Sequence, residues 1–262
     1  MIKLPSHPAD PVYVLEVVGI RAAYGRNTVL HDVHCSFRKN RVTAIMGPSG
    51  CGKSTLVKVM NRSLELNKSA RVTAGKVLFH DRDIYGGGRN PKEVRKRIGI
   101  IHQQPEPFPM SIQENVLFGA KFHGELNGAG ETEYAERYLR GVGLFEEVKG
   151  LLGEPAHKLS GGQQQRLCLA RTLANKPEII LMDEPCSALD PSATQRIEEL
   201  IVELKKDYTI IIVTHNMHQA KRVSDDAILM FNGKVIEASE TKRMFSRPAT
   251  GLARDFVSGA IG

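Results

Sequence analysis

The sequence predicts an α/β fold with a mostly parallel sheet. Three short apolar runs typical of buried strands occupy Val42–Met46, Ile179–Asp183 and Thr209–Thr214. Stretches with helical spacing precede or follow the later runs, at 163–175, 191–206 and 216–223. This alternation favours parallel strands covered by helices on both faces. A glycine-rich turn directly after the first run, followed by a helical stretch, supports the same fold.

The remaining segments predict two additions to this core. Residues 12–22 and 29–37 alternate as strands around a turn, which predicts an N-terminal antiparallel β region. From about 92 to 165, capping residues and helical spacing predict an inserted helical subdomain. The whole domain therefore spans 12–262, with 12–91 and 166–262 forming the core. The tail from 226 predicts two short strands around Asn232-Gly233 and then a less regular end.

Composition excludes several classes of protein. The 262 residues are 41% hydrophobic, as in a globular protein, and no apolar run approaches the ~20 residues that span a bilayer. Residues 1–11 lack the apolar stretch of a secretory signal, so we expect the protein to stay in the compartment of its synthesis. Four cysteines without a CxxC pair suit a reducing cytosol.

The formal net charge of +7 is compatible with nucleic acid, an anionic membrane or a phosphate-rich ligand. The basic residues are scattered except at 89–97, which we interpret as a solvated helix face. Neither metal-finger spacings nor aromatic nucleic-acid motifs accompany this segment, so nucleic acid is not an expected partner.

The glycine-rich turn matches the phosphate-binding pattern G-x-x-x-x-G-K-[ST]. Its backbone N–H groups would surround a polyphosphate, Lys53 would reach the outer phosphates, and Ser54 would offer its hydroxyl to Mg²⁺. Cys51 inside the turn is either a reactive thiol of lowered pKa or a small packed residue. The sequence therefore predicts a nucleoside triphosphate site formed by Gly47, Pro48, Ser49, Gly50, Cys51, Gly52, Lys53, Ser54 and Thr55.

Two carboxylates end the second apolar run. Asp183 and Glu184 would lie at the carboxyl edge of the sheet, where ligands bind in such folds. Asp183 is the candidate Mg²⁺ ligand, and Glu184 is the candidate base that activates water against the terminal phosphate.

A second anion-binding pattern follows Leu159. Small residues at a helix N-terminus let a phosphate approach the backbone, and here the pattern is Ser160, Gly161, Gly162 and Gln163. A single nucleotide site would need only one such phosphate-binding segment. The presence of both the glycine-rich turn and Ser160–Gln163 therefore suggests two protein surfaces that face each other.

The three motifs, in this order, resemble those of the ATP-binding subunits of ATP-binding-cassette transporters, over about residues 12–260. The resemblance implies further roles. Tyr24 would stack on adenine, Gln103 would touch Mg²⁺ and report to the membrane partner, and His215 would contact the terminal phosphate. Ser187–Asp190 would contact a second copy. The family implies a head-to-tail homodimer that binds ATP between Lys53 of one chain and Ser160 of the other.

A more detailed resemblance to one branch of this family indicates which solute would be transported. The stretch Gln103–Ile112, with its segment Phe-Pro-Met-Ser-Ile, is similar to the phosphate-importer branch. That branch implies two integral-membrane permease subunits, an external phosphate-binding protein, and a peripheral position on the cytoplasmic face of the inner membrane. His102 and Glu106 depart from the branch, which commonly has phenylalanine and asparagine there.

Three alternatives to a phosphate importer remain at this point. The first is a cassette importer for another solute, against which only the Gln103–Ile112 resemblance argues. A soluble cassette ATPase that acts on nucleic acid or ribosomes is disfavoured because the chain carries neither two cassettes nor a coiled-coil insertion. A small-molecule kinase is disfavoured by the Leu159–Gln163 motif.

Overall fold

The computed structural model describes residues 13–124, 126 and 130–261. The expectation for residues 1–11 lies outside the described residues. Residues 12 and 262, which bound the predicted domain, lie outside them too.

A six-stranded sheet forms the centre of the molecule. Its strand order is β10-β9-β3-β8-β7-β6, and every neighbouring pair is parallel except β9 with β10. The strands β3, β7 and β8 are buried along their whole length because helices or the second sheet cover both faces. The strands are β3 (Val42–Met46), β6 (Ile98–Ile101), β7 (Ile179–Asp183), β8 (Thr209–Val213), β9 (Asp226–Phe231) and β10 (Lys234–Glu240).

A second sheet is antiparallel and has the order β2-β1-β4-β5. It packs on one face of the central sheet, and the core between them includes Phe37, Leu56, Val77 and Ile211. Its strands are β1 (Tyr13–Tyr24), β2 (Asn27–Arg38), β4 (Ala70–Phe79) and β5 (Arg82–Asp83). The predicted α/β fold with an N-terminal antiparallel region is confirmed.

Helices complete the structure and include the predicted ones. Ser111, one of the capping residues in the range 92–165, begins α3 with a reciprocal capping pair to Glu114. The helices are α1 (Lys53–Met60), α2 (Pro91–Arg97), α3 (Ile112–Phe122), α4 (Glu131–Gly141), α5 (Phe145–Val148), α6 (Gly161–Leu173), α7 (Pro191–Leu204), α8 (Met217–Val223), α9 (Thr241–Ser246) and α10 (Gly251–Val257).

The range 92–165 holds most of α2 and all of α3–α5, but it also holds β6. This strand pairs with β7 at the edge of the central sheet. The division into core and helical subdomain stays a prediction, and β6 is the part of that range that joins the core sheet.

The C-terminal end is more regular than the sequence indicates. The predicted strand pair around Asn232-Gly233 is present as β9 and β10. Two short helices follow it, and buried Glu237 stabilises the segment by accepting hydrogen bonds from the backbone N–H groups of Ala249 and Thr250. Helices of six and seven residues are too short to give a clear periodic signal. Over the described residues, none of the helices has the length and apolarity to traverse a bilayer.

Candidate functional site

The phosphate loop joins β3 to α1 at the carboxyl edge of the central sheet. Gly47 has a φ of 148° and lies so close to β9 that a Cβ atom there would come within 2.1 Å of the Met230 carbonyl oxygen. Only glycine fits this position. Lys53 is the first residue of α1, and its Nζ donates hydrogen bonds of 2.8 Å to the carbonyl oxygens of Gly47 and Pro48. The ammonium group is thus held over the loop.

Cys51 lies in this loop with its side chain turned into the core. Its side chain is 5% exposed and belongs to the core shared with the antiparallel sheet. Burial raises the pKa of the Cys51 thiol, although the nearby charge of Lys53 opposes the shift. The hypothesis of a reactive thiol with a lowered pKa is therefore wrong. Desolvation raises the pKa by more than the positive charge of Lys53 lowers it. Cys51 is a small packed residue.

Ser54 and Asp183 meet across the carboxyl edge of the sheet. The Ser54 hydroxyl donates a hydrogen bond of 3.1 Å to Oδ1 of Asp183. Burial raises the pKa of Asp183, while the hydrogen bond from Ser54 lowers it and the neighbouring charge of Glu184 raises it further. A hydroxyl and a carboxylate in contact are the hard oxygen donors that Mg²⁺ prefers, so these residues fit the ion.

Glu184 brings three of the predicted residues together. Its Oε2 accepts a hydrogen bond of 3.3 Å from Nε2 of Gln103 and lies 3.1 Å from Nδ1 of His215. The backbone of Glu184 has a φ of 49°, which is uncommon for a residue with a side chain and costs about 1 kcal/mol or more. Its N–H donates to the carbonyl oxygen of Val213 and holds this conformation.

Tyr24 stands apart from these contacts. It ends β1, where it pairs with Asn27 of β2 and Ala70 of β4, and its side chain is half-buried against the core. The stacking role of Tyr24 stays a prediction.

The second anion-binding pattern forms the start of α6. The Ser160 side chain accepts a hydrogen bond from the Gln163 N–H, and the Gln163 side chain accepts one from the Ser160 N–H. Gly161 is exposed, so its backbone is open to a ligand. Gly162 has a different role, because a Cβ atom there would lie 2.8 Å from Cβ of Ala193. The glycine therefore permits α6 to pack closely on the N-terminal turn of α7.

A cavity of about 600 Å³ opens at this start of α6. It is lined by residues 160–163 of the pattern, by Leu189 and Asp190 before α7, and by residues of α7. No residue of the phosphate loop lines it. Within one chain, the two predicted phosphate-binding segments thus do not share this cavity.

Sequence reasoning missed Glu147 in this cavity. The Arg166 guanidinium donates two hydrogen bonds to its carboxylate, of 2.6 and 2.9 Å, and Nε2 of Gln163 donates a third of 3.1 Å. These bonds, those from Arg166 foremost, lower the pKa of Glu147. No local pattern marks Glu147, because its partners lie 16 and 19 residues further along the chain.

The basic segment 89–97 uses several of its cations within the fold. Arg95 donates to the carbonyl oxygen of Arg62 and to Glu65, and Arg97 pairs with Glu178. Lys92 lies over the ring of Phe122, with its Nζ 5.5 Å from the centroid. These contacts engage Lys92, Arg95 and Arg97 within the fold, and the interpretation of the segment as a solvated helix face stays a prediction.

Known proteins are similar to this chain in sequence and in fold. A family model described as ABC transporter matches residues 30–187. The chain is 48% identical over 260 residues to proteins named phosphate import ATP-binding protein PstB from Staphylococcus saprophyticus and Oceanobacillus iheyensis. The alignments cover 99% of this chain and 88% and 93% of those proteins, respectively. The solved structure of cbiO1 from Clostridium perfringens, part of the ABC transporter complex cbiONQ, superposes with a TM-score of 0.76 and 28% identity, covering 95% of this chain and 99% of that one.

Proposed function

Because the chain belongs to the ABC transporter family, we propose that it is the ATP-hydrolysing subunit of an importer for inorganic phosphate. The family resemblance inferred from its motifs is confirmed. Both relatives carry the name of a phosphate import ATP-binding protein, and this chain covers most of their length. The observation that carries the ATPase activity is the grouping of Gln103, Glu184 and His215 beside the Ser54–Asp183 contact.

ATP would bind first through the phosphate loop. The N-terminus of α1 presents backbone N–H groups and the positive end of its dipole to the polyphosphate. Lys53 would exchange its bonds to the carbonyl oxygens of Gly47 and Pro48 for phosphate oxygens. Ser54, Asp183 and Gln103 are the residues that would hold Mg²⁺. Bound there, the ion would neutralise the charge of the outer phosphates.

Glu184 would then act on the attacking water. Its Oε2 lies within hydrogen-bond distance of both Gln103 and His215, so it can accept a proton from a water held between these side chains. Gln103 would then donate its hydrogen bond to the water instead of to Glu184. His215 would donate to the terminal phosphate. The fixed backbone of Glu184 keeps its carboxylate at this point of the sheet edge.

A second copy of the chain would complete each ATP site. The cavity at Ser160 carries exposed backbone and a helix N-terminus, but the phosphate loop of the same chain does not reach it. In a head-to-tail dimer, Ser160–Gln163 of one copy would lie against ATP held by Lys53 of the other. Closure with ATP and opening after hydrolysis would shift the population between two arrangements.

These two arrangements would drive transport through other proteins. We propose two integral-membrane permease subunits and, indirectly, an external phosphate-binding protein as partners. The chain would sit peripherally on the cytoplasmic face of the cell membrane. The loop 104–110 after Gln103 is the segment that we expect to transmit the change, since Gln103 contacts Glu184 directly.

Uptake of radiolabelled phosphate tests this function. Cells whose only copy carries Glu184→Gln should lose high-affinity phosphate uptake, while uptake of an amino acid and of molybdate stays normal. Glu203→Gln is the matched control, because it makes the same chemical change on the exposed side of α7. Phosphate uptake that is unchanged in the Glu184 variant would contradict phosphate as the cargo and leave the ATPase activity to be tested separately.

A further inference from the structure

We propose that the turn Asn232-Gly233 is a positioning element of the ATP site, which orients the phosphate loop from behind without touching the nucleotide. The inference rests on the proposed function, because it assigns a role in ATP binding to a segment outside the binding motifs. The turn joins β9 to β10, about 180 residues beyond the loop in the sequence.

Two backbone hydrogen bonds fix the turn between the phosphate loop and β2. The Gly233 N–H donates to the carbonyl oxygen of Cys51, with a distance of 2.9 Å. The Gly233 carbonyl oxygen accepts from the His31 N–H at 2.8 Å. Gly233 is buried, so these bonds are shielded from water. One residue thereby connects the loop, the end of β9 and the antiparallel sheet.

The bond to Cys51 determines where the next N–H group of the loop points. In a trans peptide unit the carbonyl and the N–H project in opposite directions. Because the Cys51 carbonyl points to Gly233, the Gly52 N–H is directed away from the β9–β10 turn. We expect the N-terminus of α1 to receive the phosphates on that side.

The close approach of β2 also leaves no room for a side chain at Gly233. Its φ is 72°, and a Cβ atom would come within 2.1 Å of the Val29 carbonyl oxygen and 2.7 Å of the His31 ring. Asn232 has a φ of 46°, so both residues are left-handed, as in the tight hairpin turn that Asn-Gly favours. Any side chain at 233 must therefore push the turn away from Val29, and the bond to Cys51 lengthens with it.

Gly233→Ala tests the proposal through the separation of KM from kcat. We expect the KM for ATP to rise at least tenfold while kcat at saturating ATP changes less than threefold, because Glu184 and its partners are not displaced. Gly88→Ala is the matched control. Gly88 has a similar φ of 68°, but a Cβ atom there meets nothing within 4 Å. It tests backbone strain alone, and its KM should stay within twofold of the wild type.

A measurement on the unaltered protein guards against a variant that fails to fold. Binding of MgADP should slow hydrogen exchange of the backbone amides in 230–234 at least threefold, with no change in 86–90. An unchanged KM in Gly233→Ala, or no protection of 230–234 in a protein that binds MgADP, would overturn the inference. If the wild type itself binds neither ATP nor MgADP, the proposed function fails instead.

Discussion

Nδ1 of His215 lies 3.1 Å from Oε2 of Glu184, the same oxygen that accepts a hydrogen bond from Gln103. The Glu184 side chain is 20% exposed and that of His215 is 59% exposed. One carboxylate oxygen thus connects the ends of β6, β7 and β8 at the mouth of the site. The Glu184 side chain is thus partly accessible to water, as a general base requires.

Glu184→Gln removes the proposed base and preserves the shape of the side chain. ATP hydrolysis should fall by roughly 10²–10⁴-fold, which is the usual contribution of a general base. ATP affinity should be retained, because Lys53 and the loop are unaltered, and the variant should accumulate an ATP-bound dimer. Single-turnover kinetics measure the loss of hydrolysis, and size-exclusion chromatography with ATP measures the accumulation of the dimer. Ordinary turnover in this variant would remove Glu184 from its role, and Glu203→Gln serves as the control.

Two inactive variants should complement each other if the sites are shared between copies. Lys53→Ala should abolish nucleotide binding at the phosphate loop, and Ser160→Arg places a bulky cation at the start of α6. In an equimolar mixture, about a quarter of the wild-type ATPase activity should return, because half of the randomly paired dimers hold one intact site.

Each variant alone should be inactive, whereas Ser258→Arg, at an exposed serine after α10, should remain active. An inactive mixture in which cross-linking demonstrates mixed dimers would contradict the shared site. Activity of Lys53→Ala by itself would contradict the role of the phosphate loop.

Glu147 should make the stability of the protein depend on pH. Its pKa is lowered in the folded chain, chiefly by the hydrogen bonds from Arg166. The stabilisation therefore exists above the unfolded pKa of about 4.3 and is lost as the pH falls through the lower folded value. Because the carboxylate is 41% exposed, we expect only about 0.5–1 kcal/mol from the pair, or about 1–4 °C in Tm at pH 7.

Thermal unfolding of Glu147→Gln and the wild type measures this contribution. The Tm difference should be largest at pH 7 and should shrink as the pH falls below 4. Glu203→Gln should show no such trend. A difference that is constant across the pH range would mean that the glutamate stabilises α6 without its charge.

Cys51 should be unreactive in the folded protein. Burial in the core and the raised pKa of its thiol keep it from the thiolate form that alkylating agents require. Mass spectrometry after iodoacetamide treatment should find Cys51 unmodified in the native chain and modified after denaturation. The half-buried Cys186, whose pKa burial raises to about 11, should also react slowly. Rapid native alkylation of Cys51 that ATP suppresses would contradict this account.

Much of the fold was predictable because its signals are local. Adjacent apolar residues in the sequence are enough to indicate the buried strands β3, β7 and β8. The capping pair of Ser111 likewise lies within four consecutive residues. The terminal helices α9 and α10 were missed, since six or seven residues carry little periodicity. The place of β6 in the central sheet was also hidden, because strand pairing with β7 joins residues about 80 positions apart.

The sequence by itself determined the motifs: a glycine-rich loop with Lys53 and Ser54, two acids at the end of an apolar strand, and a second glycine motif after Leu159. Spacing and residue type suffice for these features, because each forms within one short segment. Tertiary structure alone decided that Glu184 meets Gln103 and His215, that Glu147 pairs with Arg166, and that burial raises the pKa of Cys51. Such contacts and solvation depend on distant segments being packed together, and no local pattern encodes them.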